Sequence, residues 1–263
     1  MFNFCSLYSG SSGNSLFVQT SNAKILVDAG ESAKKITESL SHIDVDVRDL
    51  NAILVTHEHT DHTKGLSTLA TKYHIPVFAN RETWNAMPSQ AEKIPKEQQY
   101  LYQPNKEIKI EDLSILPFQI PHDAANPCGF NIICGNQKIS IATDLGHISK
   151  ETLAHLEESI FLLLEANYDP NILKCSRYPY QLKKRIDSPI GHLSNELAGK
   201  TISYLSEHGL QTAMLGHLSK ENNFPELAYK TVVDTLLENH CDETKVNLSV
   251  ALRDTCSKII HLG

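Results

Sequence analysis

The apolar run Ala52-Ile53-Leu54-Val55 ends directly in Thr56-His57-Glu58-His59-Thr60-Asp61-His62, and a helical stretch follows. An α/β sheet places its functional residues at the carboxyl ends of its strands, so a buried strand that closes on this cluster constrains the fold strongly. His57 and His59 are two residues apart, so in extended backbone their side chains lie on one side. Asp61 and His62 come after a turn and point elsewhere. One loop can therefore serve two adjacent cations. A solvated loop of surface histidines is the competing reading, and the spacing argues against it.

Periodicity and turn residues order the rest of the chain. Strands are predicted at 2–8, 14–19 and 24–28, a helix from a Ser32 cap to about Leu40, and the strand 52–55. A helix at 65–73, a strand at 75–79 and a helix at 81–87 come next. Residues 88–107 are polar and aperiodic and read as a loop with little regular structure. Strands return at 108–110, 113–120, 129–134 and 138–142, before a helix capped near Ser149 and a buried strand at 160–164. A helix capped by Ser194 runs through Tyr204, then a strand at 212–215, a helix at 225–238, and strands at 246–250 and 258–261. Two similar halves without a break in composition predict an α/β chain. It forms one domain over 1–263, with two sheets packed together and helices outside.

Three further strands end the same way. His122 follows 113–120, Asp144 follows 138–142 and His217 follows 212–215. Singly, each is more often a cap or loop residue than a ligand. Together with the first cluster they bring four strand ends to one edge, which suits a metal centre. Imidazole mixed with carboxylate fits zinc, with manganese or iron as alternatives.

Composition sets outer limits. The net charge of −7 offers no global basic field to nucleic acid, although a local patch can suffice. The N-terminus lacks the features of a signal peptide, and no apolar run is long enough to span a bilayer, so no membrane partner is expected. Six cysteines without a C-x-x-C suggest a reducing, cytoplasmic setting.

The motif series H-x-H-x-D-H, then His, Asp and a last His resembles that of the metallo-β-lactamase-fold hydrolases, with every position filled and nearly the whole chain covered. The resemblance implies an αββα four-layer sandwich of two mixed β-sheets flanked by helices. It implies that His57, His59 and His122 hold one divalent ion, that Asp61, His62 and His217 hold a second, and that Asp144 bridges them. A hydroxide made available near neutral pH is then the expected nucleophile, with Asp61 as ligand and orienting residue. Within that fold the chain is similar to the YycJ/WalJ-type group. The similarity lies in Ser9-Gly10-Ser11-Ser12-Gly13-Asn14-Ser15, His122-Asp123-Ala124, Thr143-Asp144-Leu145-Gly146, Gly191-His192-Leu193-Ser194-Asn195 and Gly216-His217-Leu218-Ser219-Lys220-Glu221-Asn222-Asn223. Members of that group are regarded as DNA-processing nucleases of 5′-to-3′ exonuclease character, which implies DNA as substrate. One departure is Tyr168, in Glu165-Ala166-Asn167-Tyr168-Asp169, where the group usually has histidine.

His192 precedes a helix N-terminus, where an anion is favoured, and is the candidate to hold a phosphate or protonate a leaving oxygen. Lys174, Arg177, Lys183, Lys184 and Arg185, interleaved with Tyr178 and Tyr180, form a stretch without acidic residues. Such a stretch can bind phosphates and stack bases, or can simply be a solvated helix face. Asn222 and Asn223 either orient substrate or shape their loop, and the Ser9–Gly13 turn either approaches a phosphate or closes a hairpin. His42, His74, His147, His155, His208, His240 and His261 fit no ligand pattern. Other open readings are a hydrolase of RNA, a small phosphodiester or a thioester, and a metal-binding regulatory module without turnover. The interval from Asp144 to His217 is too short for the inserted domain of a β-CASP nuclease.

Overall fold

The computed structural model describes residues 2–241 and 245–262. The first half of the chain supplies β1 (Asn3–Tyr8), β2 (Ser15–Gln19), β3 (Lys24–Val27), β4 (Ala52–Leu54), β5 (Val77–Ala79) and β6 (Gln99–Leu101). The second supplies β7 (Ile108–Ile110), β8 (Leu113–Gln119), β9 (Cys128–Cys134), β10 (Gln137–Ala142), β11 (Phe161–Glu165), β12 (Thr212–Gly216), β13 (Asn247–Val250) and β14 (Ile260–His261). They form two 7-stranded sheets, β14-β1-β2-β3-β4-β5-β6 and β13-β12-β11-β10-β9-β8-β7. In each, an antiparallel meander leads into a parallel run: β3 through β6 in one sheet, β10 through β13 in the other.

The layering follows from strand alternation. Leu16 and Val18 of β2 face the second sheet and share a core with Phe130, Ile139, Phe161 and Leu163. Phe17, between them, faces outward and packs with Ile36, Leu40 and Leu69 of the outer helices. On the far side, Leu162, Leu164 and Leu215 pack against Ile202 and Leu205 of helix Asn195–Ser206 and Val232 and Leu236 of helix Pro225–Glu238. The sequence Phe-Leu-Leu-Leu of β11 is apolar at every position because both its faces are covered. Full burial of a side chain such as Phe161 contributes about 2–3 kcal/mol. This is the expected four-layer αββα sandwich. The helix caps expected at Ser32, Ser149 and Ser194 are present, each accepting a backbone N–H from the first turn. Among the described residues no helix is long and apolar enough to cross a membrane.

The interval 88–107 corrects the sequence expectation. It contains helix Pro88–Ala91, a 3-10 turn Lys96–Gln98 and the strand β6, which pairs in parallel with β5. The strand lies at a sheet edge with Tyr100 and Leu101 exposed, so it carries no alternating signal. Polar side chains order it instead. Gln98 Nε2 donates to Ala70 O (2.9 Å) and Gln99 Nε2 to Ile94 O (2.7 Å). The short helix Pro170–Cys175 was not predicted, and helix Tyr180–Ile186 carries the second half of the charge run, which the sequence allowed as a helix face.

Candidate metal centre

Six strands end at one cleft. Asp28 follows β3, His57 follows β4, His122 follows β8, Asp144 follows β10, His217 follows β12, and Glu165 is the last residue of β11. Asp28, Asp144 and His217 adopt left-handed backbone, with φ of 64°, 59° and 54°. The turn swings the chain away while the side chain stays at the strand end. Such a conformation costs a residue with a Cβ about 1–2 kcal/mol, and strain of this kind collects at functional sites.

The sequence-predicted ligands meet here. Donor atoms of His57, His59 and His122 all lie within 4.8 Å of one another, and so do those of Asp61, His62 and His217. A third set of the same compactness, His57, His62 and Asp144, joins the two. His62 Nε2 is 3.1 Å from Asp144 Oδ2 and 3.6 Å from Asp61 Oδ2, and His217 Nε2 is 3.7 Å from Asp61 Oδ2. His57 Nε2 faces His59 Nδ1 at 3.1 Å.

Four of the five imidazoles are aimed from behind. His57 Nδ1 pairs with Thr56 Oγ1 (3.0 Å), His62 Nδ1 with Asp28 Oδ2 (2.7 Å), His122 Nδ1 with Gly191 O (3.1 Å) and His217 Nδ1 with Glu165 Oε1 (2.8 Å). These bonds leave Nε2 for the centre, the arrangement by which outer partners orient metal-binding histidines. His192 Nδ1 also donates to Glu165 Oε1, at 2.8 Å, and its ring lies beside His122 and His217.

The fit to cations rests on two buried atoms. Asp144 Oδ2 and His217 Nε2 make no hydrogen bond, although both are shut away from solvent. An unsatisfied buried polar atom costs about 1–3 kcal/mol, and a divalent ion between these groups removes that cost. Three imidazoles on one side, and two imidazoles with a carboxylate on the other, suit zinc and allow manganese or iron.

The protein's own charges match this reading. Burial and the neighbouring His62 hold His57 well below the ordinary imidazole range, in the neutral form a ligand needs. Burial opposes charge on His62 too, yet Asp28, Asp144 and Asp61 lift it well above that range. At His217 burial is again outweighed, by Asp144, Asp61 and Glu165, and the pKa is pushed up to about 10. Burial also works against the Asp144 carboxylate, but His217 and His62 pull its pKa well below the usual value. The carboxylates thus hold protons on His62 and His217 that a metal must displace. Adding Zn²⁺ to chelator-treated protein near pH 7 is expected to release protons, which a pH indicator in weak buffer would register.

Backbone contacts lock the first cluster onto the Ser9–Asn14 turn. Asn14 N–H donates to Asp61 O (2.8 Å), Gly30 N–H to Asn14 O (2.7 Å) and Ala29 N–H to His62 O (2.8 Å). A Cβ on Gly30 would lie 1.6 Å from Asp61 O. Gly30→Ala is therefore expected to cost about 3 kcal/mol or more and to displace Asp61, as urea unfolding and loss of activity would show. Ser9 accepts the His217 N–H through Oγ at 2.8 Å, so this turn braces the site from two sides.

The basic stretch is divided by the fold. Lys174, Tyr178, Tyr180, Lys183 and Lys184 line a cavity with Tyr168, and Arg177 is outside that lining. Lys183 Nζ donates to Lys174 O at 2.6 Å. Arg185 leaves the group and pairs with Asp123 at 2.5 Å, next to His122. Asn222 is fully buried with its amide on Ser219 Oγ (3.2 Å), and Asn223 ties Ala166 O (2.8 Å) to Asn195, so both asparagines shape the loop from inside. Tyr168 is buried and donates to Asp187 Oδ1 at 2.6 Å.

Sequence reading missed two residues. Asp28 ends its strand as an acid before Ala29 and Gly30, the same signal that singled out Asp144, and it went unused. It accepts from Thr56 N and Thr56 Oγ1, both at 2.8 Å, besides holding His62. Glu165 stands at the end of an apolar strand, yet drew attention only through its neighbour Tyr168.

Comparison with known proteins agrees with this geometry. Residues 23–218 match the beta-lactamase superfamily domain. Exodeoxyribonuclease WalJ of Streptococcus pneumoniae is 40% identical over 239 residues, 90% of this chain and 89% of that protein. Exodeoxyribonuclease YycJ of Bacillus anthracis is 37% identical over 235 residues, 89% of each chain. Two solved structures share the fold, each with a TM-score of 0.73 at 14% identity. The metallo-β-lactamase fold protein YhfI from Bacillus subtilis covers 98% of this chain and 100% of its own. Zn²⁺-bound PqqB from Methylobacterium extorquens covers 99% and 100%. With its strand-end histidines and aspartates and these relatives, the chain belongs to the beta-lactamase superfamily, alongside WalJ and YycJ, as a metallo-β-lactamase-fold hydrolase.

Proposed function

We propose that this protein is a dinuclear-metal exodeoxyribonuclease that digests DNA from a 5′ end, with residues 1–263 acting as one catalytic domain. The observation that carries the reading is the pair of three-donor sets joined through Asp144, in a chain so similar to WalJ and YycJ. His57, His59 and His122 would hold one ion, Asp61, His62 and His217 the other, with Asp144 between them. Zinc is the first choice and manganese or iron the alternatives. When bound, such a pair acidifies water towards neutral pH and neutralises charge on a phosphodiester.

The chain's own groups do the rest. Asp61 has the most open carboxylate of the set, with 26% of its side chain exposed, and Asn14 Nδ2 lies 3.4 Å from its Oδ2. It is placed to accept a hydrogen bond from the attacking water and so to orient it. His192, with Nδ1 taken by Glu165, has Nε2 left for substrate. Burial disfavours its charged form, but Glu165 and Asp144 outweigh burial and raise its pKa. It can carry a proton near neutral pH and pass it to the leaving oxygen. Glu165 holds His192 and His217 in one relative position, which fixes the proton donor against the metal set.

Lys174 and Lys184, both exposed, supply cations at the cavity bordered by Tyr168 in a chain of net negative charge. Lys174→Ala with Lys184→Ala is expected to weaken single-stranded DNA binding and to flatten its log–log salt slope by about 0.7 per lost phosphate contact. An unchanged slope in a titration would remove both lysines from the path of the DNA. The thiols of Cys5, Cys128, Cys134, Cys175 and Cys256 are unbridged, in keeping with a reducing, cytoplasmic setting.

The test is digestion of end-labelled single- and double-stranded DNA, with and without a 5′-phosphate, under Zn²⁺ and Mn²⁺. Early release of 5′-terminal mononucleotides is expected. A metal-loaded protein that hydrolyses RNA or bis(p-nitrophenyl) phosphate but leaves DNA intact would refute it.

A further inference from the structure

The cavity between helices Pro170–Cys175 and Tyr180–Ile186 has a volume of about 560 Å³, and apart from its rim lysines it has no role in the reading above. That volume falls in the range of small-ligand sites. Its floor is apolar and rigid, because buried Tyr168 and Leu173 pack with Ile186, Tyr178 and Leu182. The bond from Tyr168 to Asp187 ties the floor to the end of the second helix. Tyr180 stands at the mouth, 67% exposed, with Lys184 Nζ over its ring at 5.1 Å. Lys174 adds a second cation at the rim.

The same two elements run on into the metal centre. Asn167, before Tyr168, donates to His217 O at 2.8 Å, and His192 N–H donates to Ile186 O at 2.9 Å. Arg185, one residue before Ile186, holds Asp123 beside His122. These contacts join the cavity's helices to the metal centre through a few residues, which makes the cavity the candidate next station for a strand whose phosphate lies at the metals.

We propose that the cavity is the seat of the terminal nucleotide: the 5′-most base stacks on Tyr178 and Tyr180 while Lys174 and Lys184 hold its phosphate. The proposal rests on the exodeoxyribonuclease reading and extends it to how an end is told from the middle of a strand. A seat of this volume, sized for one nucleotide, favours a free end over a continuous chain. Tyrosine faces suit any base, because stacking is tolerant of sequence, and the lysines supply the charge that a phosphate needs.

The test uses the metal-loaded protein and a phosphorothioate oligonucleotide carrying 2-aminopurine at the 5′ end, at an interior position or at the 3′ end. Quenching on binding is expected for the 5′ probe alone. Tyr178→Ala and Tyr180→Ala are expected to abolish that quenching and to raise KM for DNA about tenfold with a smaller change in kcat, while Tyr180→Phe restores both. Equal quenching at all three positions, or quenching that survives both alanine variants, would overturn the terminal seat and leave DNA digestion standing. Wild-type protein that cleaves bis(p-nitrophenyl) phosphate but neither binds nor digests DNA would overturn the exodeoxyribonuclease reading, and the seat with it.

Discussion

Glu165→Gln is expected to lower kcat about 100-fold and to weaken metal affinity, while the protein stays folded. The expectation comes from one fully buried carboxylate serving four donors. Oε1 accepts from His192 Nδ1 and His217 Nδ1, both at 2.8 Å. Oε2 accepts the backbone N–H of Leu145 at 2.9 Å and of Leu193 at 3.2 Å. Glutamine keeps the shape but offers one oxygen and an amide that only donates. It can satisfy the two imidazoles or the two backbone groups, not both pairs. Loss of a single partner behind a ligand histidine typically costs 10- to 100-fold in affinity or activity. Here two histidines lose their aim together, so the upper end applies. Steady-state kinetics, chelator competition for metal and circular dichroism would check it. A variant with normal metal affinity and a loss under about threefold would show that Glu165 does not orient these rings.

Chelation is the second large effect. Removing the ions is expected to abolish hydrolysis and to lower Tm by about 10 °C. At a thousandfold excess over Kd, a ligand that binds only the folded state stabilises by about 4 kcal/mol, and each kcal/mol moves Tm by about 2–4 °C in a chain near this size. Asp144→Ala should lose activity and that metal-dependent gain alike, since Asp144 touches both donor sets.

The pH trend separates the two forms further. In chelator, the folded pKa of His217 stands at about 10, above its ordinary value near 6.5. A raised folded pKa contributes stability that is complete below the unfolded value and disappears as pH climbs through the folded one. Metal-stripped protein should therefore lose stability across roughly pH 6.5 to 10. Metal-dependent stabilisation should rise over the lower part of that window, because ligand histidines must shed their protons. Differential scanning calorimetry with and without Zn²⁺ would show the opposing slopes, and parallel slopes would exclude a metal bound at His217.

Most strands were legible along the chain because they are apolar runs closed by a polar residue and a turn, and these are local properties. The ligand candidates were legible for the same reason: His57, His122, Asp144 and His217 follow such runs directly. The edge strand β6 escaped because its side chains face solvent and polar partners rather than a core. The charge run 174–185 was seen as a unit, yet the fold sends Arg185 to Asp123 and leaves the tyrosines and lysines around a cavity.

By itself the sequence determined which residue types stand at which strand ends, and, through the resemblance those motifs carry, the αββα sandwich and the choice of a metal-type centre. Only the tertiary structure decided which nitrogen of His57, His62, His122 and His217 faces inward, and that Asp28 stands behind His62 and Glu165 behind His217. The physical reason is distance along the chain. Periodicity and capping act over a few residues, whereas Asp28 meets His62 across 34 positions and Glu165 meets His217 across 52. Such pairs exist only once β3 has paired with β4 and β11 with β12.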